Sequence, residues 1–230
     1  SGGAVTLARL FLESAIKPDL IMTTDMLDLP VFIALTKEKT AHIPIAAYFH
    51  ENQLTYPWSE TDRDIKQNRD YHYVFKNYTT ALSADYVLFN SHYHYNSFLT
   101  ELPKFLKHFP DFRELQTVSW IEKKSAVLEL GIDLKKFHQY QHYSKANNKL
   151  PLILWNHRWE YDKNPEDFFK ALKIIQDKGY DFQLAVLGEK YLKVPPVFEE
   201  ARQCLNKKMI QFGYAETFED YARWLWQADI

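Results

Sequence analysis

Apolar residues fall into short runs separated by longer stretches of helical spacing. The runs at 19–24, 43–49, 86–89 and 125–130 have the length of strands, and Gly131 stops the last of them. Helices are expected between them at 26–36, 61–83 and 91–102. In the second of these Tyr71, Phe75, Tyr78 and Leu82 share one face at helical spacing, and Ser91 supplies a capping hydroxyl for the third. Strands that alternate with helices pair in parallel through right-handed crossovers. The first part of the chain therefore reads as an open α/β sheet.

The pattern then breaks. Residues 137–149 are polar and aperiodic, as in a linker between domains. After them the alternation resumes with a strand at 152–155. A helix follows, capped by Asn164 and opened by Pro165, with Glu166 and Asp167 in its first turn. Phe168, Phe169, Leu172 and Ile175 form its inward face, and Gly179 ends it. A strand at 182–187, a helix near 197–205, a strand near 209–212 and a helix near 218–226 complete the pattern. The expected division is a first Rossmann-like domain over 1–140 and a second over 150–230, which is expected to continue past Ile230.

Composition narrows the class. Hydrophobic residues make up 46% and charged residues 25% of the 230, the balance of a globular protein. Only six glycines are present, and neither a GxGxxG nor a Walker pattern occurs, which argues against dinucleotide and P-loop sites. The net charge of −2 gives no overall attraction for a polyanion, so any nucleic-acid contact requires a local basic patch. The single cysteine, Cys204, allows no internal disulfide and suits a reducing compartment. Its setting among helix formers fits a small packing or surface residue rather than a nucleophile. No apolar run approaches the length of a membrane span, and the N-terminal residues carry no signal-peptide pattern. A cytoplasmic location is expected.

In open α/β sheets ligands bind beyond the carboxyl ends of the strands. This directs attention to the loops after Phe49, Phe89, Trp155 and Leu187. The loop 156–163, NHRWEYDK, leaves a strand and enters a helix whose N-terminus favours phosphate. Arg158 and Lys163 bracket it; they are either solvated cations or phosphate ligands, and their position favours the second. Trp159 either packs or stacks a nucleotide base. After the strand at 43–49 come His50, Glu51, Asn52 and Gln53, able to bind and polarise a sugar. Here His50 is either a proton carrier or a satisfied capping residue, and Glu51 is either a ligand or solvated. His92 and His94 do not share a helix face, so they read as surface decoration of a helix rather than a metal site. Glu51, Asp62, Asp64 and Asp70 have no metal-site spacing.

Six stretches carry a family resemblance: FHENQLTYPW (49–58), RDYHYVFKNYTTALSADYVLFNS (69–91), KSAVLELGIDLKKF (124–137), ILWNHRWEYDKNPEDFF (153–169), LAVLGE (184–189) and IQFGYAETFEDYARWLWQADI (210–230). In these the chain resembles the tRNA-queuosine alpha-mannosyltransferase family, a branch of the family 4 retaining glycosyltransferases. The resemblance implies a GT-B fold, with two Rossmann-like domains facing a cleft and the second incomplete in this chain. It implies that Arg158 and Lys163 grip the donor diphosphate, although His157 stands where the wider family has glycine. Gly188 and Glu189 match the second nucleotide loop, Gly213 and Tyr214 match the turn near the base, and His50 matches the histidine that contacts the transferred sugar. Glu51, Asn52 and Gln53 fall on the acceptor side.

The resemblance further implies a Gly-rich loop before Ser1 and an E-x7-E segment after Ile230. The donor it implies is GDP-mannose, with no cofactor and no metal, and the acceptor is queuosine in tRNA. Tyr56 and Trp58 either stack on a base or pack their own loop, and packing is the stronger reading for Trp58. Lys104, Lys107, His108, Arg113, Lys123 and Lys124 form the candidate basic patch. The competing readings are a family 4 transferase for a lipid, glycan or small molecule, and a non-catalytic nucleotide-sugar or RNA-binding module.

Overall fold

The apolar runs become strands in a computed structural model that describes residues 2–56, 72–144, 150–189 and 194–230. The first unit, residues 1–131, holds helix α1 (Gly3–Glu13), strand β1 (Ile21–Thr24), α2 (Leu29–Thr40), β2 (Ile45–Phe49), α3 (His72–Ser83), β3 (Tyr86–Phe89), α4 (His92–Leu106), α5 (Thr117–Lys123) and β4 (Ser125–Val127). Its strands pair in parallel in the order β1-β2-β3-β4. The second unit, residues 132–230, holds α6 (Leu134–His138), β5 (Leu152–Asn156), α7 (Pro165–Asp177), β6 (Gln183–Leu187), α8 (Val197–Cys204), β7 (Met209–Gly213) and α9 (Phe218–Gln227). Its sheet is also parallel, in the order β5-β6-β7.

Central strands of parallel sheets are covered on both faces, which is why β2 and β6 read as continuous apolar runs. Ile45, Ala46, Ala47 and Phe49 are buried in β2, and Leu184 to Leu187 are buried in β6. The two units have separate apolar cores. The first is built around Phe49, Phe89, Phe98, Leu102 and Ile121, and the second around Trp155, Trp159, Phe169, Leu184 and Phe198.

Three observations depart from the pattern reading. Helix α3 buries Lys76 and Thr80 as well as a stripe of Val74, Asn77, Tyr78 and Ala81, which takes in the expected Tyr78, while Phe75 is exposed. That stripe has helical spacing, but a polar and a small residue disguise it beside the more apolar stripe through Phe75 and Leu82. Residues 61–71 of the expected helix lie outside the described residues. Helix α4 runs on to Leu106 through Pro103. Finally, residues 132–143, which include the start of the polar segment expected at 137–149, lie with the second unit. Phe137 packs on Phe218 and its carbonyl accepts from Trp226 Nε1 at 2.8 Å, Lys136 sits over the Phe218 ring, and Tyr143 bonds Glu219. Aromatic contacts with α9, invisible in a polar and aperiodic stretch, hold it there; residues 145–149 lie outside the described residues.

Candidate functional site

In the first unit the parallel register sets Thr24 opposite Tyr48 and Phe49 opposite Phe89. The residues that follow these strands, Asp25, His50 and Asn90, therefore emerge side by side at the carboxyl edge. Asp25 is fully buried, at 0% exposure. Its Oδ1 lies 2.5 Å from His50 Nδ1 and accepts the backbone N–H of His50 at 3.3 Å. Burial raises the Asp25 carboxyl from 3.8 to about 6; attraction to His50 opposes this rise and repulsion from Glu51 adds to it. The main chain of Asp25 is pinned as well: its N–H donates to Tyr48 O at 3.2 Å, and its carbonyl accepts Asn77 Nδ2 at 2.9 Å. Asn90 Nδ2 donates to the carbonyl of His50 at 3.1 Å.

His50 is thus a half-exposed ring, 43% accessible, clamped on one edge by a buried carboxylate. Asp25 is the functional candidate that pattern reading missed. The available signal was an acidic residue directly after a strand, in the same place where His50 follows β2.

The neighbouring polar residues differ in what their side chains do. Asn52 is buried and shapes its own loop: Nδ2 donates to Ser97 Oγ at 2.9 Å and Oδ1 accepts Leu54 N–H at 3.1 Å. Its amide is spent on structure. Glu51 and Gln53 are half-buried and hydrogen-bonded to each other at 3.2 Å, and the backbone N–H of Gln53 donates to Asn77 Oδ1 at 3.3 Å. Tyr56 is exposed, and Trp58 lies outside the described residues.

His94 is not surface decoration. It is 5% exposed and set edge-on against Phe49 and Phe89, with Nδ1 3.1 Å from Asn90 Oδ1. Burial first, then the charge of His50, lowers it to about 4. The cause is position: the cap Ser91 starts α4 so that 94, 98, 102 and 105 face the sheet. His92, two residues earlier, is exposed.

The basic residues also divide. Lys107, His108 and Lys123 are exposed, Lys104 pairs with Glu101 at 2.6 Å, and Arg113 donates to Phe109 O at 2.9 Å. Lys124 does not belong with them. Its ammonium donates to the carbonyls of Leu82 at 2.7 Å and of Ala84, and burial lowers its pKa.

In the second unit Arg158, Gly188, Glu189 and Tyr214 line one pocket of about 410 Å³. Asn156 and Tyr221 belong to the same wall, joined by a 2.9 Å bond from Asn156 Nδ2 to Tyr221 Oη, and Thr217, the cap of α9, closes one side. The side chain of Arg158 is half-exposed and lies 3.1 Å from Glu160. Lys163 is not part of this wall. It ends a 3-10 turn, and its ammonium lies 2.8 Å from Asp162. Beside it, Asn164 adopts a left-handed backbone (φ 53°) and its side chain accepts the Asp167 N–H, capping α7. Gly213 ends β7 with φ 131°, and Tyr214 after it is exposed.

Trp159 packs rather than stacks a base. It is fully buried, stacked on Phe198 with ring centroids 4.6 Å apart, and its Nε1 donates to Leu187 O at 3.0 Å. This explains Gly188. A Cβ there would lie 2.1 Å from His157 O and 2.7 Å from Trp159 Cδ1, and its φ is 138°. Trp159 thus locks the Arg158 loop against the Gly188 loop, and together they build the pocket wall.

Among the described residues no group of three His, Cys, Asp or Glu side chains is placed to hold a metal ion. No described helix is long and apolar enough to cross a membrane.

Comparison with known proteins bears on the fold and the family. The chain aligns along 98% of its length with a UDP-forming α,α-trehalose-phosphate synthase from Burkholderia xenovorans, covering 55% of that chain at a TM-score of 0.59 and 14% identity. That neighbour is a GT-B glycosyltransferase, and the likeness shows the fold. The tRNA-queuosine alpha-mannosyltransferase of Drosophila melanogaster is 35% identical over 216 residues, which span 91% of this chain and 55% of that protein. The chain thus spans about half the length of the curated relative it matches. Residues 1–132, more than half of the chain, match the family described as tRNA-queuosine alpha-mannosyltransferase N-terminal. The chain belongs to the tRNA-queuosine alpha-mannosyltransferase family.

Proposed function

We propose that the full-length protein is a retaining glycosyltransferase that moves mannose from GDP-mannose to a hydroxyl of queuosine in tRNA, in the cytoplasm. The observation that carries this reading is the 35% identity to a protein of that name, extending through both units. The pocket of the second unit has the chemistry for the nucleotide end of the donor. Arg158 offers a guanidinium fork to the diphosphate, Gly188 lets its loop close against the Arg158 loop to form the pocket wall, and exposed Tyr214 offers a ring to the base. Lys163 joins the grip by exchanging Asp162 for phosphate oxygens.

Negative charge grows on the diphosphate as the glycosidic bond breaks, so positioned cations lower the barrier. In the first unit His50 receives a hydroxyl of the transferred sugar. Glu51 and Gln53 stand on the acceptor side, and Asn52 contributes by holding their loop. Tyr56 offers a stacking ring to a base of the tRNA, and Lys107, Arg113 and Lys123 offer cationic contacts to its phosphates, with exposed His108 beside them.

The test is transfer by full-length protein from GDP-mannose to two preparations of one tRNA, with and without queuosine. Mannose is expected on the first alone, with activity falling steeply as salt is added. Equal transfer to both, or transfer only to a lipid or free glycan, would overturn the acceptor assignment. Absence of any turnover or hydrolysis of GDP-mannose would point to a binding module.

A further inference from the structure

We infer that Asp25 is the positioning residue of His50: its Oδ1 holds the Nδ1 edge of the ring, so that the ring proton stays on Nδ1 and Nε2 remains a bare acceptor for a hydroxyl of the transferred sugar. The inference rests on the proposed function for the identity of the sugar, but not for the contact itself.

Four observations carry it. First, the approach is close, 2.5 Å from Oδ1 to Nδ1, and it closes from the protein interior, since Asp25 is wholly buried while His50 is half-exposed. Second, the same Oδ1 accepts the backbone N–H of His50 at 3.3 Å, so one oxygen fixes both the main chain and the ring. Third, the backbones that carry the two side chains are held, that of Asp25 by Tyr48 and Asn77 and that of His50 by the Asn90 amide. Fourth, Oδ2 is buried and has no hydrogen-bond partner among the described residues. A carboxylate retained for the fold alone would satisfy both oxygens, because an unmade bond to a buried polar atom is costly. Here one oxygen is left unpaired and the other is committed to His50.

The chemistry follows from the two ring nitrogens. A carboxylate at Nδ1 favours the tautomer that carries its proton there, which leaves Nε2 as a lone-pair acceptor. Free histidine side chains prefer the opposite form, with the proton on Nε2, and in that form the outer edge would donate instead of accept. Among the described residues no hydrogen bond engages Nε2. Asp25 thus sets which kind of hydroxyl contact His50 can make and fixes the plane of the ring, without touching substrate. The charged and titratable groups around the pair are Glu51 in the same loop and His94 on α4.

The experiment compares full-length wild type with Asp25→Ala and Asp25→Asn. Histidine 15N NMR, with the His50 signals assigned through His50→Gln, reads the tautomer near neutral pH. The wild type is expected to carry the proton on Nδ1 and Asp25→Ala to carry it on Nε2. In Asp25→Asn the amide oxygen is held in place by the backbone N–H of His50, so the Nδ1 form should persist. In mannose transfer, kcat of Asp25→Ala should fall about tenfold to a hundredfold, the usual scale for loss of a residue that orients a functional one. Its KM for GDP-mannose should stay close to wild type, and Asp25→Asn should recover part of the loss. A wild-type His50 protonated on Nε2, a tautomer unchanged in Asp25→Ala, or activity lost only in proportion to unfolded protein would each overturn the inference. If the wild type transfers no mannose, the proposed function fails, and the tautomer measurement still decides the role of Asp25.

Discussion

Burying the Asp25 carboxylate should leave a thermodynamic trace that can be isolated by replacing it with asparagine. The folded-state value, raised from 3.8 to about 6, means that the fold binds a proton at Asp25 more tightly than the unfolded chain does. At 1.36 kcal/mol for each tenfold change in proton affinity, the rise corresponds to about 3 kcal/mol. The sign follows from its direction. Stability from this group is fully present below about pH 3.8 and is lost as pH rises through about 6. Asparagine does not titrate. Relative to wild type, Asp25→Asn should therefore gain about 3 kcal/mol between pH 4 and pH 7.5. A second contribution is independent of pH and sets only a constant offset: the amide nitrogen would occupy the place of Oδ2, which in the wild type already has no partner among the described residues. Asp25→Asn should thus gain on wild type steadily as pH rises from 4 to 7.5, whatever the offset between the two at pH 4. Reversible urea unfolding of the full-length proteins across that range measures the gap directly. A difference that stays constant within about 0.5 kcal/mol, or that moves in favour of wild type as pH rises, would refute the reasoning.

Other perturbations separate packing from chemistry. Arg158→Ala should weaken GDP-mannose binding about tenfold to over a hundredfold, as expected for a charge-assisted contact, with little change in melting temperature; titration calorimetry on the full-length protein reads this. Lys163→Ala should have the smaller effect of the two, because Asp162 already engages that ammonium. Gly188→Ala should destabilise the second unit by about 3 kcal/mol or more, because the added carbon meets a backbone carbonyl and the Trp159 ring; thermal unfolding of the variant measures it. Trp159→Ala should cost about 3–5 kcal/mol in denaturant unfolding, and a change in donor affinity at unchanged stability would show instead that the indole serves the ligand.

What could be read from the sequence divides along a physical line. Strands that bury large apolar side chains announce themselves, so β3 lies at 86–89 as expected, and the apolar runs at 43–49 and 182–187 contain β2 and β6. Elements that bury small residues do not. Helix α1 buries only Ala4 and Ala8 and leaves Val5, Leu7, Leu10 and Leu12 exposed, so its apolar pattern marks the wrong face. The inward stripe of α3 hides in the same way behind Asn77 and Ala81. Polar residues after strands were visible as candidates, but their roles depend on partners brought together by register, which periodicity does not encode. His50 and Asp25 lie 25 positions apart in sequence and meet only because β1 and β2 pair in parallel with Thr24 opposite Tyr48. The same loops also contain residues serving the fold. Trp159 stands beside Arg158, and Asn52 is two residues from His50, yet the indole and the amide are buried against neighbours while the guanidinium and the imidazole remain accessible. Adjacency to a site is therefore weak grounds for a role in it. The sharper criterion here is a polar side chain that stays accessible on one edge while the interior fixes the other, and His50, held by a carboxylate, meets it most fully.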